Sequence, residues 1–154
     1  MRTQLPAATH RVANDPQFIN VETAPRPLGA YAHAVRAGRL LFISGQGARD
    51  PKTGGERGAV LDAEGRMTGH DIRVQTVAAL ANVEAVVRSA GGSLRDIVDV
   101  TVFLLDMNDF PAYNEVYARF FGEHRPARTT VGAASLPGNN AIEIKAIAVL
   151  PEGT

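Results

Sequence analysis

There is no cysteine among the 154 residues, which removes disulfides, thiolate nucleophiles and cysteine-ligated metals together. Net charge is also missing: sixteen Lys and Arg balance sixteen Asp and Glu, so no overall field draws the chain to nucleic acid or to an anionic membrane. Nowhere do eighteen apolar residues run together, as a membrane-spanning helix requires. The opening "MRTQLPAATHRVANDPQFINVETAP" lacks the apolar segment of a signal peptide, and a soluble, cytoplasmic protein is expected. The four histidines, His10, His33, His70 and His124, show no paired spacing on one element, and no glycine-rich phosphate loop follows a strand. Neither a metal nor a nucleotide cofactor is expected.

What is present fits one domain. The chain is 45% hydrophobic and 21% charged, enough to bury a single core. Residues 1–22 mix Pro, Asn, Thr and charges without periodicity and read as an arm; 23–154 form the domain. "YAHAVRAGRLLFISGQ" reads as two strands around Ala37-Gly38, and "GARDPKTGGERGAVLDAEGRMTG" as a long loop with a brief strand at Ala59 to Leu61. Helical spacing runs from Asp71 to Ala90, with Ile72, Thr76, Ala79, Leu80, Val83 and Val87 on one face, Asn82 opposite, and Gly91-Gly92 as the stop. "IVDVTVFLLD" alternates as a strand. "NDFPAYNEVYARFFG" reads as a second helix with Pro111 in its first turn and a stripe of Phe110, Tyr113, Tyr117 and Phe120 that reads as packing.

The last stretch, "RPARTTVGAASLPGNNAIEIKAIAVL", reads as a hairpin of Thr129 to Ala134 and Ala141 to Leu150 joined by "SLPGNN". The order is thus β-β-α-β-α-β-β, an α+β fold with a single sheet and two helices on one face. Both faces of the last strand carry apolar residues, so the second face needs a cover, and another copy of the chain in a closed ring would supply it. Arg128 and Glu143 are the only charges in this stretch besides its first residue and Lys145. As residues alone they read more readily as a cross-strand pair or solvated edge groups than as a site. A hairpin centred near Gly138 sets Glu143 opposite Ala133 and Arg128 opposite Ala148, an offset of about five residues or roughly 16 Å. They are not expected to meet within one chain. Ser44 and His33 could be imagined as nucleophile and base, but no positioned acid completes them, and Ser44 reads as a hydrogen-bonding wall residue.

"ETAPRPLGAYAHAV", "FISGQGARDP", "VTVFLLDMNDFPAYNEVYARFF", "RPARTTV" and "IEIKAIAVLP" occur in this order and at about the spacing found in the RidA (YjgF) family of reactive-intermediate deaminases, which the chain resembles from about Glu22 to Pro151. The resemblance implies a chorismate-mutase-like fold, a homotrimer, and hydrolysis of enamines or imines to ketones and ammonia, a reaction that requires no cofactor; with the offset of Arg128 from Glu143, a trimer is expected to hold intersubunit active sites. It implies Arg128 as the grip on a small substrate's carboxylate, Glu143 as the group that positions water, and Tyr31, Ser44, Gly45 and Asn114 as pocket residues. The chemistry suits these types: a planar guanidinium grips a carboxylate through two parallel bonds, and one carboxylate can take and return the proton of hydrolysis. Thr130 stands where many members carry a reactive cysteine, and Lys145 where many carry a second acid. "DIRVQT", "MNDFPAYNEVY", "RTTV" and "EIKA" look most like the 2-aminomuconate deaminase branch, whose dicarboxylate substrate would need a second cation; Arg49 is the candidate and Arg73 a poorer one. A trimeric ligand-binding or regulatory protein, or a ribonuclease and translation inhibitor, is the alternative, against which the zero formal charge counts for RNA.

Overall fold

The computed structural model describes residues 15–154. Its first helix shows how local chemistry sets an element. The amides of Arg73 and Val74 donate to Asp71 Oδ1 at 3.0 and 3.2 Å, capping α1 (Ile72–Ser89). Gly91, at φ 83°, ends it in a conformation that side-chain-bearing residues rarely adopt. The buried face carries Ile72, Thr76, Ala79, Leu80, Val83 and Val87 as the spacing predicts. It also carries Gln75 and Asn82, and the reading that set Asn82 on the opposite face is corrected. The second helix, α2 (Phe110–Phe121), places Pro111 in its first turn, where a missing N–H costs nothing.

Both helices cover one face of a six-stranded sheet ordered β1-β2-β3-β8-β6-β7. Its strands are β1 (Gln17–Ile19), β2 (Ala34–Ala37), β3 (Leu40–Gln46), β6 (Ile97–Leu104), β7 (Ala127–Gly132) and β8 (Ile142–Val149). A separate ribbon of β4 (Ala59–Leu61) and β5 (Met67–His70) forms within the long glycine-rich segment. Strand β1 pairs with β2, and Val21 and Ala24 are buried, so the sheet reaches into the segment read as an arm. Residues 1–14 of that arm lie outside the described residues.

The predicted C-terminal hairpin does not form. Strand β6 lies between its two arms: β7 runs parallel to β6 on the outer edge, and β8 runs antiparallel to β6 on the other side. The registers with Ala133 and Ala148 fall with it. Arg128 aligns with Val100, which aligns in turn with Ala146, whereas Glu143 aligns with Phe103.

Leu41, Ile43, Val100, Val102, Leu104, Ile142, Ile144, Ala146 and Ala148 face the helices and are almost wholly buried. The other face holds Val35, Phe42 and Ile147 in one row, with Leu40 and Phe42 exposed. This alternation is that of strands with one covered and one open face, and along this row the open face is apolar.

Candidate active site

The site's acid is placed by an irregularity in the sheet. Between Ile43, opposite Ala146, and Gln46, opposite Ile144, β3 spends one residue more than β8. This bulge at Ser44 and Gly45 re-aims the strand end, as bulges beside sites commonly do. Gly45 then passes so close to Glu143 that a Cβ there would sit 2.7 Å from Oε1. A larger residue there would push the carboxylate from this position. Glu143 lies on the open face of β8, half-buried, and burial pushes its carboxyl above the ordinary glutamate value. It has no ion-pair or hydrogen-bond partner among the described residues.

Tyr31, Gly45, Arg49 and Glu143 share one small cleft. Tyr31, Ser44, Gly45, Glu143 and Lys145 line its continuation over the open face. Tyr31 is half-exposed, and its hydroxyl accepts from the Leu28 amide at 3.2 Å. Ser44 Oγ donates to the Ala32 carbonyl at 2.7 Å, a wall contact rather than an activated nucleophile. His33 cannot serve it as base. The Val21 amide donates to Nδ1 at 3.0 Å, so Nε2 carries the proton and donates to the Pro25 carbonyl at 2.9 Å. Arg49 donates to the Arg26 carbonyl while lining the cleft. Arg73 pairs instead with Glu115 at 2.6 Å across the two helices, away from the cleft.

Three buried amides that the sequence reading missed hold this loop cluster. Asn82 Nδ2 donates to the carbonyls of Gly47 and Arg49, both at 2.9 Å. Asn140 Oδ1 accepts from the Ala48 amide at 2.7 Å, and its Nδ2 donates to the Pro137 carbonyl at 2.8 Å. Gln75 donates to the Asn139 carbonyl at 3.1 Å and accepts from the Ala141 amide at 2.6 Å. Each satisfies backbone groups that would otherwise be buried unpaired. The available signal was spacing: Gln75, Ala79 and Asn82 stand at i, i+4 and i+7, on one side of α1.

Arg128 and Asn114 lie elsewhere. Arg128 Nη1 donates to Asn114 Oδ1 at 2.9 Å, on the helix-covered side of the edge strand β7. Glu143 is on the opposite face, three residues further along and two strands over. The separation is about 10 Å along the strands and about 10 Å across them. A single chain thus brings together Glu143, Tyr31, Ser44, Gly45 and Arg49, and separately Arg128 and Asn114, but not the two groups.

Comparison with known proteins places this fold. Residues 21–150 match the Endoribonuclease L-PSP family. The chain belongs to the L-PSP/YjgF/RidA family. Among curated relatives, a RutC family protein of Pyrococcus horikoshii is 46% identical over 132 residues, covering 86% of this chain and 96% of that protein. The 2-iminobutanoate/2-iminopropanoate deaminase of Salmonella typhimurium is 42% identical over 134 residues, covering 85% and 95%. Among solved structures, Escherichia coli TdcF with bound serine is similar at a TM-score of 0.75 and 39% identity, covering 88% of this chain and 99% of that one. The α+β arrangement with two helices on one face is that of these structures. No described helix is long and apolar enough to cross a membrane.

Proposed function

We propose that this protein is a cofactor-independent deaminase that hydrolyses short 2-imino acids, and their enamine tautomers, to 2-oxo acids and ammonia. The carrying observation is Glu143: a carboxylate in a cleft, with a raised proton affinity and no competing partner among the described residues. The names of the relatives that act on 2-iminobutanoate and 2-iminopropanoate support the same chemistry, as does the serine bound to a structural relative.

In this reading Arg128 grips the substrate carboxylate through its in-plane N–H groups. Glu143 takes a proton from water as the oxygen bonds to C2 of the protonated imine, giving a carbinolamine. Return of that proton to nitrogen lets the C–N bond break; Glu143 then takes the hydroxyl proton as the carbonyl forms and passes it to the departing ammonia, which leaves as ammonium. Because Arg128 and Glu143 lie on opposite faces of one protomer's sheet, the site is completed by a second copy across the apolar open face. A ring of three such copies gives three intersubunit sites. The direct test is ammonia release from 2-iminobutanoate generated in situ. Acceleration over the spontaneous rate is expected, and its absence would overturn the assignment.

A second reading concerns substrate size. Arg49 lines the Glu143 cleft, which favours a dicarboxylate such as 2-aminomuconate over a monocarboxylate, whereas the named relatives act on monocarboxylates. Arg49→Ala should raise KM for the dicarboxylate by about tenfold or more, the worth of one charge-assisted contact, and disturb 2-iminobutanoate turnover far less. Equal losses on both substrates would remove Arg49 from the specificity of the site.

A further inference from the structure

The aromatic stripe of α2 is more than packing. Phe110, Tyr113, Asn114 and Tyr117 stand at i, i+3, i+4 and i+7, so one side of the helix presents all four toward β7. The Arg128 guanidinium carbon lies 5.8, 5.4 and 4.6 Å from the ring centroids of Phe110, Tyr113 and Tyr117, within the range of cation–π attraction. The rings brace one another: Tyr113 stands edge-on to Phe110 at 5.3 Å and to Tyr117 at 6.3 Å. The Tyr113 hydroxyl is hydrogen-bonded to Thr130, two residues along β7 from Arg128.

The choice of rings over an acid has a chemical consequence. Arg57, Arg66, Arg73 and Arg88 each meet a carboxylate, but among the described residues Arg128 meets none. A carboxylate partner would occupy the in-plane N–H fork that a substrate carboxylate needs. Aromatic rings attract the cation without an acceptor oxygen to occupy its N–H groups, and among the described residues Asn114 takes only one N–H.

We propose that Tyr117, assisted by Tyr113 and Phe110, is a positioning residue that holds the Arg128 cation through its ring and so leaves guanidinium N–H groups unoccupied for the substrate carboxylate. This rests on the deaminase reading for its kinetic half, while binding of the product-like 2-oxobutanoate tests it without turnover. The Tyr117 hydroxyl itself is buried without a partner among the described residues, and burial raises its pKa to about 12, so the ring and not the hydroxyl is the working part.

Tyr117→Leu should raise KM for 2-iminobutanoate and weaken calorimetric binding of 2-oxobutanoate, each by about tenfold, with kcat changed less than about threefold. Tyr117→Phe should keep both values and melt no lower than wild type, since it deletes only an orphaned hydroxyl. Phe110→Leu should move both in the same direction by a smaller factor, and it decides the matter if Tyr117→Leu does not fold. Unchanged affinity in Tyr117→Leu and Phe110→Leu with a lowered Tm would reduce the stripe to packing. Equal damage from Tyr117→Phe and Tyr117→Leu would make the hydroxyl the active element and overturn the proposal. Wild type that binds 2-oxobutanoate through Arg128 yet releases no ammonia would remove the deaminase reading and leave the cage standing. Wild type that does neither would remove both.

Discussion

Glu143→Gln should lower kcat by about 10²- to 10⁴-fold while raising the thermal stability of the protein at neutral pH. The first effect follows from removing the only group in the proposed mechanism that takes and returns a proton. The second follows from the direction of its pKa. Glutamine is nearly isosteric, so the Gly45 approach is kept, but the half-buried charge is gone. A carboxyl whose folded pKa lies above its unfolded value contributes stability fully below the unfolded value. That contribution is lost as pH rises through the folded value. At neutral pH the wild type therefore holds an ionised group in a place that disfavours it, and glutamine relieves this. The Tm gap between variant and wild type should close as pH falls below the ordinary glutamate value of 4.5. The acid limb of wild-type kcat/KM should fall above that value, because the base must be ionised to activate water. A variant that loses activity but melts lower than wild type at every pH would show Glu143 to be a structural partner instead.

The same residue shows how far the sequence could be read. The elements with their own chemical punctuation were legible: Asp71 and Gly91 bracket α1, Pro111 opens α2, and the alternation of β6 is that of a half-covered strand. The pairing of β7 was not. Consecutive strands are usually neighbours, and a turn-forming "SLPGNN" reinforces that prior, yet side-chain alternation states which face a strand buries and never which strand lies beside it. The segment 133–141 in fact carries the chain past the end of β6, where the Leu105 amide bonds the Ala141 carbonyl at 2.9 Å. Buried amides were illegible for a related reason. Gln75, Asn82 and Asn140 look like solvent-facing residues until the loops whose backbone they satisfy are in place. The bulge that brings Gly45 to Glu143 likewise depends on the β3–β8 pairing, which no local pattern announces.

Mixed assemblies of Arg128→Ala and Glu143→Gln chains should regain activity that neither variant has alone. The corrected topology keeps the separation that the hairpin implied and makes the faces explicit. Residues on opposite faces of one sheet cannot reach a common small molecule through the strands between them. Arg128 points to the α2 side at the edge strand, and Glu143 opens onto the uncovered face three strands from β1. An edge residue of one copy can reach the open face of another, and the apolar row of Val35, Phe42 and Ile147 is the kind of surface a second copy would cover. If each site takes Arg128 from one chain and Glu143 from the next, random co-assembly of equal amounts gives about a quarter of the sites both intact residues. The expected recovery is therefore about a quarter of wild-type turnover per site, with each parent nearly inactive. Native mass spectrometry of chains carrying different tags establishes that mixing has occurred. Mixed trimers as inactive as their parents would mean that the two residues act within one chain, and the intersubunit site would have to be abandoned.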